Sequence, residues 1–490
     1  MPRLAAVDLG AQSGRVAVGA FDGEQLTVEE VHRFENTPVV RDGVLRWDFE
    51  RLYRDTLDGL AAAAPVDSVA VDSWAVDFGL VDAGGALLAD PVHYRDTRRA
   101  AAVERVYERV PPRELYQRTG IQLLPINTVF ELSALVAEND PALAEAETLL
   151  LIPDLVHSRL CGSRSTELTN ATTTQCFDPY AGTWARDLLE RLEIPADLFP
   201  DVVPSGTPLG PLETDEPGAP EGAAVIAVAT HDTGSAVAAV PFGHHDSVFV
   251  SAGTWSLVGM EVDRPLINDA TFAANLTNEG GVAGTFRLLR NVTGLWVLHE
   301  SRRAWADVGH DHSFGELNEL AAAAPALRAF VDPDHESFAT PGDMPARIAA
   351  FCERTGQPAP EDPGATVRCI LESIALKHAL TVDVLREVTG ADPVELHIVG
   401  GGARNELLCR WTAQATGLPV LAGPEEATLV GNLLVQAMAL GELESLEEAR
   451  AVVRASFIQT AHEPQPSAEW DEARQRFADL VQQAPVEVTS

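Results

Sequence analysis

The stretch THDTG, residues 230–234, places Asp232 between a histidine and a threonine directly after the apolar run AVIAVA. A carboxylate held at a strand end can take the proton of a hydroxyl while that hydroxyl attacks phosphorus. The same position can also cap a helix that begins at Thr233 or Gly234. Three turns of small residues offer complementary chemistry: GAQSGR (10–15), SAGTWS (251–256) and GGGARN (400–405). Small residues let backbone N–H groups approach an anion, and hydroxyls such as those of Ser13 and Thr254 add donors. Arg15 adds a cation able to face phosphate. GGGARN ends a strand and opens a helix, where backbone can pass close to a bound ring or phosphate. Each turn alone is equally a tight structural turn; three in this order point to phosphate. No GxxxxGK[ST] occurs, and no GxGxxG follows the first strand, which argues against a Walker-type or dinucleotide-binding fold.

The elements that must position these residues are readable in outline. RLAAVDL, RVAVGAF and LTVEEVHRF are strands with short connections and predict an antiparallel meander. DSVAVDSWAVDFGLVD gives two more strands, and helices are predicted near 97–110 and 128–138. The proline-, glycine- and acid-rich segment 198–224 is predicted to be irregular. DSVFVSAGTWSLVGMEV repeats the opening pattern half a chain later, although glycine turns between strands are common and two unrelated hairpins also account for it. Apolar residues recur every three or four positions over 366–390 and predict a helix stopped by Gly390. A strand, a glycine turn and two further helices follow, and beyond about 460 the pattern weakens into an acidic tail.

With 490 residues, two large domains are expected. The formal charge is −38, from 73 acidic against 35 basic residues. Nucleic acid and anionic membranes require a basic face, so neither is an expected partner. Lys377 is the only lysine. The five cysteines show no zinc spacing and read as buried thiols, with Cys352 and Cys369 on successive predicted helices where they could meet. There is no leader pattern and no run of about 20 apolar residues, so a soluble cytoplasmic protein is expected. Trp47, Trp74, Trp255 and Trp296 lie near the motifs and read as core.

DLGAQSGR, VDSWAVDFGLVD, YRDTR, GIQLLPINT, TNATTTQ, ATHDTGSAV, SAGTWSL, NEGG, NVTGLW and LHIVGGGARNELL together resemble the FGGY carbohydrate-kinase family from about residue 4 to 460. The resemblance implies an α/β fold of two ribonuclease-H-like domains of the actin and hexokinase type around a central cleft. It places an N-terminal domain at 1–243, a C-terminal domain at 244–460 and a tail at 461–490. It implies ATP-dependent phosphorylation of a ketose, with GIQLLPINT and TNATTTQ favouring L-rhamnulose at O1 and Mg²⁺ accompanying ATP. Asp232 matches the proton acceptor, with His231, Thr233, Ala75 and Asn291 toward sugar. Ala11, Gln12, Ser13, Gly14 and Arg15 match the first phosphate turn, Thr254 the second, Gly401 and His299 the nucleotide side, and Asp8 the aspartate beside Mg²⁺-nucleotide. Ala75 stands where glycine is usual, and His299 where glutamine is usual. The alternatives are a kinase for another ketose or polyol, such as L-fuculose or xylulose, or a non-catalytic actin-like ATP- or sugar-binding protein. A monomer or homodimer is expected.

Overall fold

The computed structural model describes residues 2–214 and 216–483. The chain forms two compact units that interleave along the sequence. The first comprises Met1–Pro241, Glu261–Leu288 and Ala427–Phe457, the second Phe242–Met260, Leu289–Glu426 and Ile458–Ser490.

In the first unit, β1 (Arg3–Leu9), β2 (Ser13–Phe21) and β3 (Leu26–Glu35) form the expected antiparallel meander. Helix α1 (Phe49–Ala63) follows, with the Asp48 side chain accepting from the Arg51 N–H as its cap. β4 (Ser68–Ser73) then returns parallel to β1. The sheet is completed by β5 (Thr207–Pro211) and β6 (Ala224–Ala227), in the order β5-β6-β4-β1-β2-β3. β5 corrects the expectation of an irregular segment over 198–224. It is an edge strand with a register shift between Pro208 and Gly210, where prolines need not donate to a ladder. Four residues separate the end of β6 from the start of α2 (Asp232–Ala238). Ala5, Val7 and Leu9 of β1, Val69 and Val71 of β4, and Phe49, Leu52 and Leu60 of α1 share one core.

The second unit starts with the hairpin of β7 (Val248–Ala252) and β8 (Trp255–Val262), beside which lies β9 (Phe286–Thr293). Helix α3 (Pro363–Thr389) begins before the expected span because Asp362 caps it and Pro363 occupies its first turn. It ends at Gly390, whose φ is 71°. β10 (Leu396–Val399) runs parallel to β7, α4 (Glu406–Thr416) follows, and β11 (Val420–Ala422) runs parallel to β10. The order β9-β8-β7-β10-β11 repeats β3-β2-β1-β4-β6, so the two hairpins are corresponding parts of one duplicated arrangement rather than unrelated turns.

α5 (Ala427–Ala439) belongs again to the first unit. The segment read as a tail holds a short strand, Thr460–His462, and α6 (Ala468–Gln483), whose Ala473, Phe477 and Leu480 join the core of the second unit. Their spacing of three to four was present in the sequence but diluted by charge. Cys352 and Cys369 are free thiols that interact with each other.

α5 packs directly on α2. A Cβ added to Gly431 would lie 1.7 Å from the carbonyl oxygen of Ser235 in α2. Gly431→Ala is therefore expected to push the two helices apart and cost about 1–3 kcal/mol. Denaturant unfolding checks this, with Gly401→Ala as the reference. A Cβ at Gly401 meets nothing within 4 Å, so that change should leave the unfolding midpoint nearly unmoved.

Candidate active site

β1 brings Asp8 opposite Arg15 on β2 and alongside Asp72 on β4. The Arg15 guanidinium forms an ion pair with the Asp8 carboxylate. The turn between the strands is tied down from its carbonyl side: Asn36 Nδ2 donates to Gly10 O at 2.9 Å, and Asn36 N donates to Gln12 O at 3.0 Å. The carbonyls of Gly10 and Gln12 are thus used internally, as is that of Ser13, which accepts from Gly10 N at 3.0 Å. Ala11, Gln12 and Ser13 are exposed or half-buried. Gly14 is fixed for another reason, since a Cβ there would fall 2.1 Å from the Phe34 ring.

Asp72 is fully buried. One carboxylate oxygen accepts from Asn432 Nδ2 of α5 at 2.6 Å, and the other has no hydrogen-bond partner. Burial, reinforced by Asp8, pushes the Asp72 carboxyl well above its usual range.

The THDTG turn is built from beneath. Ser73 at the end of β4 bridges His231, with Ser73 N donating to Thr230 O at 2.9 Å. The buried Glu167 carboxylate accepts from Thr230 N at 3.0 Å, Thr169 N at 2.9 Å and Ser205 Oγ at 2.6 Å. Thr169 Oγ1 accepts from His231 N at 3.2 Å. TNATTTQ thus supports the turn. His231 takes the helix-cap position, and Asp232 is the first helical residue, which corrects the reading of Asp232 as the cap. Its carboxylate still accepts from Thr233 N at 2.5 Å and Thr233 Oγ1 at 3.2 Å. The Asp232 side chain is 33% exposed. Loss of water raises its carboxyl above the ordinary value, His231 opposes this and Asp8 adds to it. Asp232 is therefore a stronger base than a free aspartate while remaining accessible. His231 Nε2 lies 3.3 Å from Asp232, and His231 Nδ1 lies 3.2 Å from Glu279.

Ala75 sits half-buried in the turn after β4. The left-handed backbone there falls on Val76, with φ of 69°, and not on Ala75, so glycine is not conformationally required at 75. Thr128, the last residue of GIQLLPINT, donates to Val76 O at 2.7 Å and pins this turn. Trp47 and Trp74 both donate to the buried Asp77, at 2.6 and 2.9 Å, and are core as expected.

In the second unit, Thr254 lies in the β7–β8 turn. Its carbonyl accepts from Gly294 N at 3.1 Å and Trp296 N at 3.2 Å, and Gly253 O accepts from Leu295 N at 2.9 Å. NVTGLW thus ties up the carbonyls of this turn as Asn36 ties up those of the first. Gly294 is required, because a Cβ there would lie 2.7 Å from the Trp255 carbonyl carbon. Asn291 lies half-buried on β9. Asp334 accepts from Thr293 N at 2.7 Å and pairs at 3.0 Å with Lys377, the single lysine. Gly402 fits under Ala252, which a Cβ would approach to 2.4 Å, while Gly401 is exposed. His299 is half-buried, and desolvation together with Arg302 lowers its imidazole below the usual value, favouring the neutral ring.

The expected residues therefore fall into two groups. Asp8, residues 11–15, Ala75, His231, Asp232 and Thr233 are in the first unit; Thr254, Asn291, His299 and Gly401 are in the second. Sequence reasoning passed over Asp72, Glu167, Glu279, Arg287 and Asn432. Glu279 was legible only as part of NEGG.

Comparison with known proteins accounts for this arrangement. The N-terminal domain description of the FGGY family of carbohydrate kinases matches residues 4–238, and the C-terminal domain description matches 248–440. The chain belongs to the FGGY family of carbohydrate kinases. It is an enzyme, a sugar kinase. It is 41% identical to a rhamnulokinase of Bacteroides thetaiotaomicron over 97% of this chain and 99% of the relative. It is 40% identical to a rhamnulokinase of Pectobacterium carotovorum over 98% and 96%. Its fold is that of solved sugar kinases. The gluconate kinase of Lactobacillus acidophilus superposes with a TM-score of 0.81 at 16% identity, covering 100% of this chain and 99% of that one. Plasmodium falciparum glycerol kinase with ADP superposes with a TM-score of 0.78 at 15% identity, covering 100% and 99%. Among the described residues, no helix is long and apolar enough to cross a membrane.

Asp72 gives a test of the site's electrostatics. Its folded-state pKa is raised, so between the unfolded and folded values the folded protein binds more protons. Stability contributed there falls as pH rises. An asparagine at 72 keeps an acceptor for Asn432 and removes the charge. Asp72→Asn is expected to match the parent near pH ~4 and to become progressively more stable than the parent toward pH ~8. Thermal unfolding across that range checks it, and a stability difference independent of pH rejects it.

Proposed function

We propose that the protein transfers the γ-phosphoryl group of ATP to O1 of L-rhamnulose, giving L-rhamnulose 1-phosphate for L-rhamnose catabolism. The observation that carries this reading is the Asp232 carboxylate, accessible and raised in basicity at the first position of α2, in a chain whose near-full-length relatives are rhamnulokinases. Asp232 orients the attacking hydroxyl and takes its proton as the bond to phosphorus forms. In a loose phosphoryl transfer, positioning and charge stabilisation provide most of the rate, so a modest base suffices. His231, Thr233, Ala75 and Asn291 contact the sugar. The amides of residues 11–15 and the hydroxyls of Ser13 and Thr254 bind phosphate oxygens. Gly401, open to solvent, gives the nucleoside a surface without side chains, with His299 beside it as a neutral imidazole.

The residues present fit Mg²⁺. Asp8 offers hard carboxylate oxygen, Asp72 beside it has an orphaned buried oxygen, and Mg²⁺ takes one or two carboxylates with water and phosphate filling the rest. Asp8 would hold it indirectly, and when bound the ion neutralises charge on the ATP phosphates. We assign the base, the first phosphate turn and the sugar residues other than Asn291 to 1–243, Asn291 and the nucleotide residues to 244–460, and the remainder, 461–490, to no part of the reaction. The protein acts in the cytoplasm as a monomer or homodimer.

A panel of L-rhamnulose, L-fuculose, xylulose and glycerol with ATP and Mg²⁺ tests the substrate by ADP release and by locating the phosphate. The expected result is the highest kcat/KM with L-rhamnulose and phosphate at O1. A higher value with another acceptor replaces the substrate assignment. Asp232→Asn should still bind both substrates and lose two to four decades of kcat, roughly the worth of a general base. Thr254→Val should weaken nucleotide binding by about 1–2 kcal/mol, the loss of a hydrogen bond to charge, with sugar affinity unchanged by calorimetry.

A further inference from the structure

We propose that Glu279 and Arg287 are positioning residues for phosphoryl transfer, forming a charge-compensated pair that fixes the His231 ring and through it the orientation of the Asp232 carboxylate. This rests on Asp232 as the proton acceptor. All four residues are in the first unit.

Arg287 is fully buried, Glu279 is 4% exposed and His231 6%. A guanidinium and a carboxylate removed from water each cost several kcal/mol unless their partners are good. Here they are imperfect partners for each other. Arg287 Nη1 lies 3.2 Å from Glu279 Oε2, yet both atoms are buried without an aligned hydrogen bond. Arg287 spends its Nε on Gly280 O at 2.9 Å, which fixes the guanidinium plane, and its Nη2 reaches His231 Nδ1 at 3.2 Å. Glu279 Oε2 lies 3.2 Å from that same nitrogen. A pair built only for mutual stability adopts the parallel fork-to-fork geometry. This one is turned toward the imidazole.

The consequence follows from charge. Glu279 favours a proton on Nδ1, and Arg287 opposes one. Opposite charges face one nitrogen, and together they hold the ring behind Asp232 in place from its Nδ1 side. Its other nitrogen, Nε2, is left to face Asp232 at 3.3 Å. The other charges around these residues are Asp8 and Asp72 toward Asp232, and Glu167 and Glu261 toward Arg287. Burial works against the Glu279 charge, but Arg287 and His231 outweigh it and keep this carboxyl below its usual range.

The test is the pH dependence of kcat for the parent, Glu279→Gln, Arg287→Met and the double variant, with Asp232→Asn in the same assay. Removing the negative charge should move the acid limb to lower pH, and removing the positive charge should move it to higher pH, each by roughly 0.5–1 unit. The double variant should return the limb toward the parent. Plateau kcat should fall about ten- to a hundredfold in the single variants while KM for ATP stays within about threefold, as for a residue acting only on the reacting groups. Glu279→Gln is nearly isosteric and decides the matter if Arg287→Met does not fold: a limb shifted to lower pH supports the proposal, and an unmoved limb overturns it. Should Asp232→Asn keep activity within a few-fold of the parent, the general-base reading fails first. Should Asp232→Asn be inactive while both limbs stay put, only the role of Glu279 and Arg287 falls.

Discussion

Repulsion among carboxylates is the constraint from which the first unit is best understood. Asp8 and Asp232 raise the proton affinity of the buried Asp72, and Asp8 raises that of Asp232; in the proposed reaction these carboxylates also face a polyanionic nucleotide. Three ionised groups and a triphosphate could not share that space unmitigated. The fold answers in three ways. Arg15 neutralises Asp8 across the β1–β2 ladder. Asp72 is buried until its charged form is disfavoured, with Asn432 donating to it. Asp232 is left a third exposed and faces an imidazole. Each carboxylate has a different degree of burial and a different partner. Only Asp232 combines access with raised basicity.

The second constraint is steric. In the proposed function the turns bind anions by their backbone, so the backbone must pass close to its neighbours, and the glycines mark where it does. Gly294 lets NVTGLW donate into the turn carrying Thr254, and Gly402 seats the GGG turn against Ala252. Gly431 lets α5 press on α2, just behind Asp232. α5 also carries Asn432, which reaches Asp72, and Gln436, which donates to Ala5 O at 3.0 Å and accepts from Ser68 Oγ at 2.6 Å. A single helix, distant in sequence, therefore ties together β1, β4 and α2, which carries Asp232.

That helix also shows what could be read from the sequence and what could not. Strands with short polar turns, such as β1–β2 and β7–β8, were legible because period and turn chemistry are local. The duplicated sheet order was not, because a pairing such as β1 with β4 depends on residues about 60 positions apart. The HDT turn was visible as a carboxylate after an apolar strand. Its supports were not, since a buried Glu167, Glu279 or Arg287 looks in sequence like any surface charge. β5 was hidden by its prolines, which an edge strand tolerates, and α6 by the charges on its outer face. The interleaving of the units was likewise hidden: residues 261–288 and 427–457 return to the first unit, and nothing in their composition announces it.

The duplication has diverged in an instructive direction. Both units keep the hairpin and the parallel strands beside it, and both secure the carbonyls of the hairpin turn from behind, by Asn36 in one and by NVTGLW in the other. Backbone anion binding is thus the shared part. The first unit adds titratable groups, Asp8 and Asp72 near the ends of β1 and β4 and His231 and Asp232 at the start of α2, with a buried ion pair behind the last two. At the equivalent end of β10 the second unit places three glycines instead. Titratable groups suit a hydroxyl that must lose a proton, whereas bare backbone suits a flat nucleoside that must only be held. In the proposed function this difference has a use, since proton transfer needs side chains of tuned charge while a nucleoside can be held against bare backbone.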